Sequence, residues 1–169
     1  DLVADYRKWE QEQMRPDGLF WNYDVRDAME ESISGSRTRR HVRPPLNSYM
    51  YGNARALAAL SRIAERPALA SHFDEEADRL RRRVVEALWN EQSGFFEVRR
   101  DDGKLAGVRE AIGFIPWYFS LPEPGRGHER AWAQLRDDGG FRAPFGITTA
   151  ERRHPEFRSH GTGTCEWDG

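Results

Sequence analysis

The sequence predicts a mainly α-helical fold, and three observations carry that prediction. Met50, Ala54, Leu57, Ser61 and Ala64 recur at helical spacing. So do Leu69, Phe73, Ala77, Leu80, Val84 and Leu88. Between the two runs lies only "ERP", Glu65 to Pro67. Two long helices joined by so few residues form an αα-hairpin, each burying one apolar stripe against the other.

The other elements follow in order. Leu2, Tyr6 and Trp9 mark a first helix over 1–15, ended by the turn "RPDG". "LFWNYDV" is rich in strand formers and reads as a short extended piece. "SGSRTRRHVRPP" reads as a polar loop, with Pro44-Pro45 excluding helix there. The next helix is expected to start at Asn47 or Ser48, both good N-caps. Pro67 suits the first turn of its partner, which ends near Trp89. "GFFEVRRDDGKLAGV" predicts a small β-hairpin with Asp102-Gly103 in its turn. "REAIGFIPWYF" returns to helix, with Pro116 near its end or kinking it, and "GHERAWAQLRD" is an amphipathic helix stopped by "DGG". Residues 141–169 are expected to be loop with one short turn at most.

Composition narrows the function. A chain of 169 residues can form one domain with its own core. Its net charge of −2 argues against a nucleic-acid binder, which needs a basic excess to neutralise phosphates. The basic cluster "RLRRR" directly follows "DEEAD", as helix-face pairing requires. The lone Cys165 can form no internal disulfide, and five scattered histidines suggest no metal site. No run is apolar enough to span a membrane and no signal peptide is visible, so a cytoplasmic location is favoured. The chain starts at Asp1 rather than Met, which leads us to expect that its natural N-terminus, with any targeting signal, is missing.

The candidate chemistry sits in the polar loops. "DAMEESISG" (Asp27 to Gly35) follows an aromatic run. Asp27 and Glu30 are spaced i,i+3, with Glu31 beside them, and Asp24 precedes them. In a helical turn these carboxylates share a face, and their mutual repulsion raises the pKa of one, as a general acid requires. An acidic first turn that complements the helix dipole explains the same spacing. Arg43, Asn47, Ser48 and Tyr51 offer donors at a helix start, where they could also serve as caps. Glu110 stands at another helix start, where dipole complementation is again an alternative. His160, Glu166, Trp167 and Asp168 lie among glycines in "SHGTGTCEWDG". Cys165 and His160 lack the surroundings of a cysteine protease, and neither a nucleophile elbow nor a dinucleotide fingerprint is present, so no cofactor is expected.

Taken in order, "FWNYDVRDAMEESISG", "RPPLNSYMYGNARALAAL", "LWNEQSGFFEV", "REAIGFIPWYFSLP" and "HGTGTCEWDG" resemble the catalytic domain of (α/α)6-barrel glycoside hydrolases. The set that the chain resembles is mannosylglycerate hydrolase-like and processing α-glucosidase I-like (glycoside hydrolase family 63), with trehalases more distant. The resemblance covers nearly the whole chain. It implies a toroid of helical hairpins that binds sugar at one mouth and hydrolyses an α-glycosidic bond with inversion. The family's acid is commonly an Asp following Gly and a bulky apolar residue, with Ser two positions on. Ala28, Met29, Glu30, Glu31 and Ser32 match that pattern with Glu30 at the acid position, and Asp27 is the second choice. By the same matching, Arg43, Asn47, Tyr51, Glu110 and His160 fall near the substrate. Trp21 and Trp117 become apolar sugar platforms. Glu166, Trp167 and Asp168 match a loop that in relatives runs on into Pro–x–Trp, and the general base comes later still. The expectation is therefore a single domain over 1–169, a partial (α/α)6 toroid (six-hairpin glycosidase-like) with a small β-hairpin. Such a fragment is expected to be inactive alone and to self-associate through exposed helix faces. Its expected partner is a carbohydrate, with no nucleic acid and no membrane. The alternative is a non-catalytic helical module that binds carbohydrate or protein.

Overall fold

A computed structural model describes residues 1–27, 29, 31–159, 167 and 169. Helix α1 spans Leu2–Gln13, and its N-cap Asp1 accepts a hydrogen bond from the Ala4 amide at 2.9 Å. Helices α2 (Pro44–Ile63) and α3 (Pro67–Leu88) form the expected hairpin. Met50, Ala54, Leu57 and Ser61 of α2 are buried, as are Phe73, Ala77, Leu80, Val84 and Leu88 of α3. Ala64 falls outside the predicted stripe, because it is the C-cap of α2 and is exposed. Tyr6 of α1 meets the fully buried Phe73 edge-on at 5.4 Å, which docks α1 on the pair.

Helix α2 begins earlier than its sequence predicts. Pro44 and Pro45 occupy its first turn, preceded by Arg43 in extended conformation. The first amides of a helix have no partner within it, so proline loses nothing there, and its fixed φ favours the helical turn. Asn47 and Ser48, expected as caps, lie inside the helix instead. The Ser48 hydroxyl donates to the Pro44 carbonyl at 2.8 Å.

The remaining elements are short. Strands β1 (Trp89–Asn90) and β2 (Phe95–Phe96) pair antiparallel. Gly94, at φ 63°, closes the turn between them. The Asp102-Gly103 turn also forms, joined by an isolated bridge between Arg99 and Leu105. The stretch 111–118 is helical, but it divides into a 3-10 helix (Ala111–Phe114) and α4 (Ile115–Tyr118), with Pro116 in the first turn of α4. Residues His128–Leu135 form a 3-10 helix rather than the expected α-helix. An α-helix this short is marginal without strong packing, and only His128 and Ala131 are buried there. The stretch read as loop contains a second hairpin, β3 (Arg142–Ala143) with β4 (Gly146–Ile147).

Gly113 faces the most crowded part of the core. A Cβ there would overlap the Phe95 ring and the Phe96 carbonyl. The Phe95 ring is held at 4.8 Å from Phe114 and 5.6 Å from Phe141, so it has nowhere to retreat. Gly113→Ala is expected to cost about 1–3 kcal/mol, as overpacking does. Urea denaturation tests this, and an unchanged midpoint would refute the crowding.

Candidate active site

The site is built around Arg43. Its backbone is the N-cap of α2, and its side chain is fully buried. A buried guanidinium needs a charged partner and acceptors for its remaining N–H groups. Its Nε donates to Asp27, whose side chain is 1% exposed. Both terminal nitrogens lie 3.4 Å from the Ser32 hydroxyl. Asp27 also accepts from Asn22 Nδ2 at 2.5 Å. Asn22 is itself fixed by an antiparallel bridge to His41, with backbone bonds of 3.0 and 2.9 Å.

Asp27 ends a 3-10 helix, Asp24–Asp27, rather than opening an α-helix. Buried Asp24 closes the loop from inside. It accepts from its neighbour Val25 at 2.9 Å and from the Glu31 amide at 3.1 Å. Glu31 takes a left-handed φ of 57°, a strained position for a residue with a side chain. Gly35 passes so near that a Cβ would lie 2.5 Å from an Asp24 carboxylate oxygen and 2.6 Å from the Ser32 hydroxyl.

The far end of the loop is tied to Glu110. The Ser34 hydroxyl donates to one Glu110 carboxylate oxygen and the Ser34 amide to the other, the latter at 3.4 Å. Glu110 precedes the 3-10 helix Ala111–Phe114 and bridges to Ala150 in the chain after β4. Segments near 32, 43, 110 and 150 therefore converge. A cleft of about 360 Å³ borders the first of these segments, lined by Asp24, Glu31, Ser32, Arg37 and Glu156 among others.

Burial pushes both key carboxyls above the usual carboxylate range. For Asp27, desolvation dominates, opposed by the Arg43 guanidinium and the Asn22 amide. For Glu110, desolvation again leads, opposed by the Ser34 hydroxyl and by Arg43. A carboxyl with a raised native pKa stabilises the fold fully below its unfolded value. That contribution is lost as pH rises through the native pKa. Glu110→Gln removes this titration, so the variant should gain stability relative to wild type as pH rises above the ordinary value of 4.5. A constant difference between the two in urea melts across that range would refute a raised Glu110.

The structure distributes the sequence candidates unevenly. Asp27, Arg43 and Glu110 come together. Trp21 is half-buried, with the guanidinium groups of Arg15 and Arg40 at 5.0 and 5.7 Å from its ring. The Asn47 amide is engaged by backbone: it accepts from the Phe20 amide and donates to the Phe20 and Arg43 carbonyls, each at 2.9 Å. The Tyr51 hydroxyl instead accepts from Arg81 of α3 at 3.1 Å. Trp117 packs with Phe96 and Trp132 at 5.3 Å each. Trp167 is 38% exposed. Glu30, His160, Glu166 and Asp168 lie outside the described residues.

Sequence reasoning missed Asn22 and Ser34 as parts of the site and gave Ser32 only as a motif position. The only available signal was the pair of small hydroxyl residues in "SISG", which fit where bulkier side chains would not. Tyr49 was also missed, and the Asp27 charge beside it helps to raise its phenol pKa, second to burial. Among the described residues no cluster could hold a metal ion, and no helix is long and apolar enough to cross a membrane.

The family model "Mannosylglycerate hydrolase MGH1-like glycoside hydrolase domain" matches residues 1–169. No curated protein matches. A solved structure named "Sialidase" superimposes with a TM-score of 0.95 at 50% identity, covering 99% of this chain and 15% of that one. A GH63 mannosylglycerate hydrolase from Thermus thermophilus, in complex with glucose, gives a TM-score of 0.62 at 23% identity, over 77% of this chain and 31% of that one. An uncharacterised conserved protein from the same organism gives 0.61 at 24% identity, over 77% and 31%. The chain thus spans under a third of each of these proteins. The GH63 structures are α/α-toroid glycosidases, and the helical hairpin α2–α3 is a unit of that architecture. With the family model matching throughout, the chain belongs to the mannosylglycerate hydrolase MGH1-like glycoside hydrolases.

Proposed function

We propose that this chain supplies the acid side of an inverting glycosidase that cleaves an α-glycosidic bond in a small glycoside or oligosaccharide. Glu30 is the proton donor in this reading. The carrying observation is the double anchoring of the segment around it. Asp27 is fixed by Arg43 before it, and Ser34 is fixed by Glu110 after it. A general acid must be held within hydrogen-bond reach of the leaving oxygen, and anchors on both sides of position 30 support that role. Asp27 then positions the donor rather than acting as one. Its side chain is buried and paired with Arg43, so it does not reach a sugar.

In an inverting mechanism the second carboxylate activates water on the opposite face, roughly 6.5–9.5 Å from the acid. We assign that base to a part of the protein outside these residues. A carbohydrate substrate is supported by the glucose complex of the Thermus protein. The test is a glycoside panel on the complete protein, with the product anomer followed by NMR as it first forms. The panel includes a sialoside, because the relative named "Sialidase" shares 50% identity with this stretch. Inversion at an α-linked substrate is the expected result. Retention, or no hydrolysis of any member, would reject the reading.

Leu2, Leu60 and Ile63 stand exposed on α1 and α2. We extend the proposal to self-association of the isolated chain through these faces. A strictly monomeric species in concentrated sedimentation runs would exclude it.

A further inference from the structure

A second cleft, of about 390 Å³, lies between the second half of α3 and residues 123–128. Three guanidinium groups line it, from Arg81, Arg82 and Arg126, facing the carboxylates of Glu86 and Glu123. Among the lining groups the cations outnumber the carboxylates by one, and Asp78, outside the lining, pairs with Arg81. Glu123 fixes two of the arginines, accepting from Arg81 Nη1 and Arg126 Nε at 3.1 Å each. Arg81 is held further by Tyr51, at 3.1 Å, and by Asp78, at 3.3 Å. Arg82 makes no ion pair or hydrogen bond among the described residues, and Glu86, one turn on, does not close on it. Val85 and the arginine stems give the cleft an apolar floor.

Two buried nitrogens at this cleft lack any partner among the described residues: Arg81 Nε and His128 Nδ1. His128 is 9% exposed and wedged against Trp89 and Phe96, with ring centres 4.6 and 6.0 Å away, so it cannot swing out to water. Buried polar atoms left unpaired are costly, and a negative charge placed beside the Arg81 N–H would offset part of that cost.

We propose that this cleft binds an organic monocarboxylate, its carboxylate held by Arg82 and Arg126 and its apolar body lying on Val85. The guanidinium fork matches a carboxylate in shape, and Arg82, without an ion pair among the described residues, offers one positive charge to one negative one. The apolar floor favours an acid with a hydrocarbon body over a hydrated inorganic anion, which gains nothing from Val85. The volume falls within the range of about 300–1,000 Å³ typical of small-molecule sites.

Phenylacetate is the probe, titrated calorimetrically into the protein at fixed ionic strength. One-to-one binding is expected, weakened at least tenfold in Arg82→Ala and in Arg126→Ala. Arg79→Ala, on the same helix but outside the cleft, should leave it unchanged. Inorganic phosphate should not displace the probe. Thermal melts confirm that each variant is folded. Absence of binding, equal affinity in Arg82→Ala, or displacement by phosphate would each overturn the proposal. Binding should also persist in Glu30→Gln, so this site and the glycosidase reading stand or fall separately.

Discussion

Under the proposed function, Glu30→Gln in the complete protein should lower kcat by about 10²–10⁴-fold, the usual contribution of a positioned general acid. Sugar affinity should change little, because the amide keeps the size and polarity of the carboxyl while losing its transferable proton. The loss should depend on the leaving group. An aryl glycoside whose phenol departs readily needs less protonation, so its hydrolysis should fall less than that of an alkyl glycoside. Glu30→Asp should be intermediate, since it keeps the acid but shortens the arm by one methylene. Equal losses across leaving groups would indicate a structural role for Glu30 instead. Wild-type kcat in Glu30→Gln would remove it from the mechanism.

Arg43→Met should be the most destabilising change near the site. Methionine approximates the aliphatic part of the side chain, so the effect isolates the lost charge. The variant leaves the Asp27 carboxylate buried with Asn22 as its remaining donor. Removing one partner of a buried ion pair costs about 3–5 kcal/mol. For a domain of this size that is a drop in Tm of roughly 6–20 °C. The deficit should shrink at low pH, because Asp27 protonates and no longer needs a cation. A second change, Asp27→Asn, should recover much of the loss, and a double-mutant cycle measures the coupling. Additive losses in that cycle would show that Arg43 and Asp27 do not act as a pair.

How much of this was legible in the sequence depended on distance along the chain. Helices α2 and α3 announce themselves through local periodicity, as does the short joint between them. The Asp102-Gly103 turn is equally local. The start of α2 was misplaced because proline is a helix breaker inside a helix yet a good first residue, and composition alone does not say which applies at Pro44. Strands β3 and β4, two residues each, are too short to show alternation. Within the site, Asp27 and Glu110 were both noticed as acidic residues at helix starts. Their actual surroundings were not, because Ser34 and Glu110 are 76 residues apart and nothing local marks their meeting. Tyr51 and Trp117 were grouped with the site by motif, whereas their contacts are with Arg81 and with neighbouring rings. An aromatic ring in a motif does not reveal which face of its helix it occupies.

The Ser34–Glu110 tie also bears on how the chain folds. The α2–α3 hairpin closes over only Ala64 to Arg66, whereas joining Ser34 to Glu110 requires both helices to be in place between them. Loop-closure entropy therefore orders the events, with the hairpin first and the loop around Ser34 among the last segments to settle. Substitutions along the α2–α3 seam should slow folding, while those at Ser34 should chiefly hasten unfolding. The loop proposed to carry the proton donor would then also be the part of the fold that opens most readily.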